Sequence, residues 1–199
     1  MEKQPLIKKI YTSFDEMEDA YNIVRDELVK LGVLWDKSKL DKVEATYLTI
    51  APISAVAGYM GFYQPETKTI EFPSMYLPIE ALWTSLSPKA SAVDVFRHEF
   101  GHALADLYPR ALSKGSLFRE AFGGTYGPIP AEERGVEGWE GRYVSEYATS
   151  ATQEDFAETF MLFVKHKGKL PAKFRGKPVI TKKWAAVREI VKRVRACPI

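Results

Sequence analysis

Between Val93 and Leu107 two of the chain's three histidines, His98 and His102, stand four residues apart with Glu99 directly after the first. On a helix that spacing stacks both imidazoles on one face, where they can reach a single metal ion. Glu99 then lies on the neighbouring edge, able to reach a water activated by the metal without ligating it, the arrangement a zinc hydrolase needs. The segment predicts such a helix on independent grounds. Ser91 and Asp94 fit a capping box, no proline or β-branched run interrupts, and Pro109 ends it. Phe96, Phe100, Ala103, Leu104 and Leu107 supply the flanking apolar positions. Gly101 costs a helix about 1 kcal/mol relative to Ala, which suggests that close packing requires it.

Two imidazoles leave a catalytic zinc one protein ligand short, since such sites use three and keep one position open. A metzincin-type continuation would need Gly at 105 and His or Asp at 108, where the chain has Ala105 and Tyr108. His166 is one candidate, but it lies in a strongly basic stretch. The better one is in the segment from Tyr147 to Val164. Thr152 and Asp155 read as a capping box, and Phe156, Ala157, Phe160, Met161 and Val164 form one apolar stripe, so a second helix is expected. Glu154 and Glu158 lie one turn apart on a face of it flanked by core residues, an expensive place for carboxylates without cationic partners. Glu154 as third ligand, with Glu158 accepting a hydrogen bond from a metal-bound imidazole, would satisfy both. Asp106, one turn after His102, can also orient an imidazole, although a solvent-facing carboxylate is the simpler reading.

His98-Glu99-Phe100-Gly101-His102 followed by a Glu on a downstream helix resembles the gluzincin class of zinc metallopeptidases. Together with Tyr147, Glu154, Phe156, Ala157 and Glu158, the pattern is most similar to the catalytic domain of anthrax lethal factor and related small gluzincins. The resemblance implies an endopeptidase with one catalytic zinc, a peptide or protein substrate, and a catalytic role for Tyr147, seven residues before the Glu ligand. It covers mainly residues 93 to 165 and does not fix the substrate. The expected chemistry is peptide hydrolysis with Glu99 as general base and Tyr147 donating to the developing oxyanion. The alternatives are a zincin-fold binding protein without turnover, against which the intact Glu99 argues, and a nucleic-acid-associated protease docked through its basic segment.

The rest of the chain frames this site. Its 199 residues, 46% hydrophobic, suit one domain, and the resemblance implies an α+β class, zincin-like, with a small N-terminal mixed sheet, an active-site helix and a cleft. The lobes are expected at about 1–108 and 109–199, the second mainly helical. Ser13, Phe14, Asp15 and Glu16 suggest a capping box, and Phe14, Met17, Tyr21, Val24, Leu28 and Leu31 repeat at helical spacing up to Gly32. Strands are expected over Ala45 to Ile50, Gly58 to Tyr63 and Thr69 to Phe72, the last two forming a hairpin through Gln64-Pro65-Glu66-Thr67. Were Thr69 to Phe72 an edge, it could receive an extended peptide. A short helix is expected around Ile79 to Trp83. The glycine-rich stretch from Pro109 to Ser145 reads as a functional loop or cleft wall.

The single cysteine, Cys197, excludes an internal disulfide and any Cys-rich metal site. As a soft donor it would reach the metal were the tail folded into the cleft; a frayed end is the simpler reading. With no signal peptide or membrane span in evidence, a monomer in the cytoplasm is the default expectation, export without a cleaved signal staying open. From Lys165 onward lie twelve of the 28 Lys and Arg but one of the 26 Asp and Glu, so the remainder is net acidic. That asymmetry suits an acidic partner or, more simply, a solvated basic helix. Trp184, Val187, Val191 and Val194 predict the helix, with Lys182, Lys183, Arg188, Lys192, Arg193 and Arg195 on its watery face.

Overall fold

A computed structural model of the protein describes residues 14–48, 61–73, 91–135 and 138–197. Those residues form an α+β fold with six α-helices and one three-stranded mixed sheet. Helix α1 (Phe14–Lys30) buries Met17, Ala20, Val24 and Leu28 at the expected spacing. It gives way at Gly32, whose φ of 63° is the left-handed conformation that ends helices. Ser13 of the proposed capping box lies outside the described residues, as do the helix expected around Ile79 to Trp83 and the outer parts of two strands, at 49–50 and 58–60.

The sheet comprises β1 (Glu44–Leu48), β2 (Phe62–Gln64) and β3 (Thr69–Pro73). Its order is β1-β3-β2, with β3 parallel to β1 and antiparallel to β2. This corrects the expectation of an edge at Thr69 to Phe72: β3 is the central strand, paired on both sides, and among the described residues β2 is an edge. Sequence identifies strands through their pattern, but order is set by the parallel return to β1, which no local pattern records.

Helix α2 (Ala92–Leu107) carries the His-Glu-x-x-His motif and is the axis of the core. The Ser91 hydroxyl accepts the Asp94 N–H at 3.2 Å, the cap read from the sequence. Phe96, Phe100, Ala103 and Leu104 are fully buried, each large side chain contributing about 1.5–3 kcal/mol. The Phe96 ring packs against Phe72 of the sheet at 4.3 Å and Tyr21 of α1 at 5.6 Å.

The stretch after Pro109 is more ordered than its glycines suggest. It holds α3 (Pro109–Ser113) and α4 (Leu117–Phe122), each too short to show a period. Pro109 starts α3 as well as following α2, because the first helical position needs no N–H. Helix α5 (Thr152–Lys165) packs along α2, and α6 (Pro178–Arg195) closes the fold against α3, α4 and α5. A smaller core of Tyr143, Val144, Ala148, Phe174 and Ile180 lies beneath the glycine-rich region.

Helix α6 buries Trp184, Val187, Val191 and Val194 as expected, but Lys183 is a correction: it is only 3% exposed and pairs at 2.7 Å with buried Asp155 of α5. Its ammonium also donates to the Arg142 carbonyl at 2.8 Å and lies 3.8 Å from the centre of the Tyr143 ring. Three arginines of the supposed watery face bind carbonyls at the ends of other helices. Arg195 reaches Gly32, Arg193 reaches Ala111 and Lys114, and Arg188 reaches Gly168. Unpaired carbonyls and a negative dipole end make such termini natural cation sites. Among the described residues no helix is long and apolar enough to cross a membrane.

Candidate metal centre

The centre forms where α2 and α5 come close enough to touch backbone to backbone. A Cβ on Gly101 would lie 3.1 Å from the Ala157 Cα and 3.2 Å from the Phe160 ring, so glycine is what allows this approach. It brings the first turn of α5 over the histidines of α2.

The Nε2 atoms of His98 and His102 are 3.1 Å apart, and Glu154 Oε2 lies 3.1 Å from the first and 3.4 Å from the second. A tetrahedral ion with bonds of about 2.0 Å sets its ligand atoms about 3.3 Å apart, so this triangle has the dimensions of three zinc ligands. Two imidazoles and a carboxylate are also the donor types zinc accepts in hydrolytic sites. His98, His102 and Glu154 are the group among the described residues that could hold a metal ion.

Charge in the centre points the same way. Burial disfavours the His98 imidazolium, but hydrogen bonds to Glu154 and Glu158 and the charge of Glu99 outweigh it and push its pKa up to about 10. Burial likewise opposes a charged Glu154, yet the two imidazoles hold its carboxyl well below the usual range. Carboxylates gathered around two imidazoles therefore favour positive charge at this point.

His98 Nδ1 lies 2.9 Å from Glu158 Oε1, so the carboxylate sits where an acceptor for this imidazole was expected. Its other oxygen accepts the Ser145 hydroxyl at 2.6 Å, and Ser145 Oγ in turn accepts the Ala148 N–H. Behind His102 stands Tyr126, its hydroxyl 2.7 Å from Nδ1. Neither Ser145 nor Tyr126 was legible in the sequence, for both sit in irregular segments where spacing carries no information about direction.

Asp106 meets neither imidazole. Its Oδ2 accepts the Tyr63 hydroxyl and the Lys68 ammonium, each at 2.9 Å, clasping the β2–β3 hairpin onto α2. This corrects its proposed orienting role, because the helix turns its carboxylate toward the sheet. The hairpin so held presents the Tyr63 N–H to Glu99 Oε2 at 2.8 Å. Glu99 is 6% exposed, and burial raises its pKa against the lowering pull of the two histidines and that N–H.

Tyr147 opens a 3-10 turn just before α5 and is half exposed, its ring centre 6.0 Å from that of His98. Burial of its hydroxyl, with the charge and hydrogen bond of Glu154, pushes its pKa upward, so it stays a donor. The Thr152–Asp155 capping box is not formed. Ala151 is the N-cap, Thr152 Oγ1 lies 2.7 Å from the carbonyls of both Thr125 and Gly127, and Asp155 belongs to Lys183. His166 caps the far end of α5, and Cys197 lies partly buried against the main core at the end of α6; neither belongs to the ligand cluster.

Residues 87–173 match the model of a protein family described as "putative zinc-binding metallo-peptidase". The matched span contains α2, α3, α4, the Tyr126 segment, Tyr147 and α5, and leaves out α1, the sheet and α6. No curated protein and no solved structure matches the chain.

Proposed function

We propose that this chain is a zinc metalloendopeptidase of the gluzincin type, with one catalytic zinc held by His98, His102 and Glu154. The observation that carries the reading is the 3.1–3.4 Å triangle of ligand atoms with the buried carboxylate of Glu99 beside it. The match to a zinc-binding metallopeptidase family model over the same segment supports it. Two lobes meeting near residue 108 would wall the cleft, as in the small gluzincins that the sequence resembles.

Zinc bound there would acidify a water and polarise the scissile carbonyl. The chain's own groups do the rest. Glu99 takes a proton from the attacking water and hands it to the leaving amine. The Tyr63 N–H fixes Oε2, leaving Oε1 as the oxygen that receives the proton. Burial, by raising the carboxyl pKa, makes Glu99 a stronger base than a surface glutamate. Tyr147 donates to the negative charge developing on the substrate oxygen, a contact worth about 3 kcal/mol where such donors have been removed elsewhere. Glu158, braced by Ser145, holds the His98 imidazole in the tautomer that offers Nε2 outward.

Glu99→Gln tests the assignment. The variant should bind zinc like the wild type and lose at least about 100-fold in turnover on a peptide library, because ligation does not use that carboxylate and proton transfer does. Loss of zinc, or wild-type turnover, would refute the role given to Glu99.

A further inference from the structure

We propose that Tyr126 is a positioning residue for His102, held in place by Thr152 at the start of the helix that carries Glu154. The inference rests on His98, His102 and Glu154 being the metal ligands. An imidazole that gives its Nε2 lone pair to a metal carries its proton on Nδ1, and that proton needs an acceptor. For His98 the acceptor is the Glu158 carboxylate; for His102 it is the Tyr126 hydroxyl at 2.7 Å. The two ligands are therefore oriented by different chemistry, one by an anion and the other by a neutral phenol.

Two constraints fix that hydroxyl. The ring is wedged among aromatics, with Phe118 at 6.1 Å and Phe156 at 6.0 Å, the latter from α5 itself. The backbone on both sides is stitched to the first turn of α5. Thr152 Oγ1 is shared between the carbonyls of Thr125 and Gly127, Gln153 N–H donates to Gly127, and Thr152 N–H donates to Ile129. The donors that a helix N-terminus leaves over are spent on the segment bearing Tyr126. The same turn holds Glu154, so the third ligand and the orientation of the second are set by one rigid unit. A threonine that resembles a cap in the sequence is thereby a clamp.

Tyr126→Phe keeps the ring and removes the acceptor. Zinc affinity, measured by chelator competition, should fall about 10- to 100-fold. The absorption bands of the cobalt-substituted protein should shift, while the metal-free form melts at the wild-type temperature. Wild-type affinity with an unshifted cobalt spectrum would overturn the inference, and so would a metal-free melting temperature that falls in proportion to the affinity. Should Tyr126→Phe not fold, Thr152→Val decides: weakened zinc binding supports the clamp, wild-type binding refutes it. Wild-type protein that takes up no zinc in the same titration would refute the ligand set, and this inference with it. If Glu154→Ala loses zinc while Tyr126→Phe does not, only the role of Tyr126 falls.

Discussion

Two of the buried charge clusters that helix α5 borders solve the same problem in opposite ways. On one face Asp155 meets Lys183, 0% and 3% exposed, so each desolvated charge finds its counter-charge within the chain. One turn-edge away, Glu154 and Glu158 converge with Glu99 on two imidazoles, an arrangement that favours added positive charge. A self-neutralised pair fastens α6 to α5. An electron-rich cluster held rigid by its neighbours is one that could hold a cation. The difference suggests how structural and functional buried charge can be told apart: by whether the chain itself completes the ledger.

Removing one partner of the closed pair should have the larger effect on stability. Lys183→Met leaves Asp155 buried without its ammonium, costing about 3–5 kcal/mol, which in a chain of this size lowers the melting temperature by about 10 °C. Folded protein should still bind zinc as the wild type does. Equal loss of zinc affinity, measured on the folded form at low temperature, would mean the two clusters are coupled and the comparison fails.

The open cluster should instead show itself through pH. A group whose folded pKa lies above its unfolded value stabilises the fold below the unfolded value and loses that contribution as pH rises through the folded one. For His98 the window runs from 6.5 to about 10. Metal-free protein should therefore lose stability to urea across that window by more than a His98→Asn variant does. Identical pH profiles for the two would show that His98 is not the group that supplies the missing charge.

The same contrast explains what the sequence could reveal. His98, Glu99 and His102 lie within five residues on one helix, and Glu154 and Glu158 within five on another, so helical spacing alone places each set on a face. Packing through Gly101 then brings the two sets together, and the oddity of that glycine in a helix was a signal of it. Lys183 and Asp155 were misread, one as a surface charge and the other as part of a cap. Yet Lys183 falls on the stripe of Ile180, Trp184 and Val187, and Asp155 beside Phe156 on the stripe of Thr159. A base on an apolar stripe should have suggested a buried counter-charge for Lys183, whereas the neighbours of Asp155 one turn away, Thr152, Glu158 and Thr159, are polar and gave no such sign. Tyr126 and Ser145 offered nothing of the kind, because in irregular backbone the direction of a side chain is decided by hydrogen bonds to distant segments. The order of the sheet was hidden for a similar reason, since the parallel pairing of β1 with β3 spans a long connection.

Whether zinc completes the open cluster is tested most directly by the metal content of the folded chain. Protein dialysed against zinc and then against metal-free buffer should retain one zinc per chain by mass spectrometry under native conditions. Glu154→Ala should retain markedly less, and His166→Ala the full amount. A wild-type chain that emerges folded and without zinc, or a His166→Ala variant that loses it while Glu154→Ala keeps it, would contradict the account.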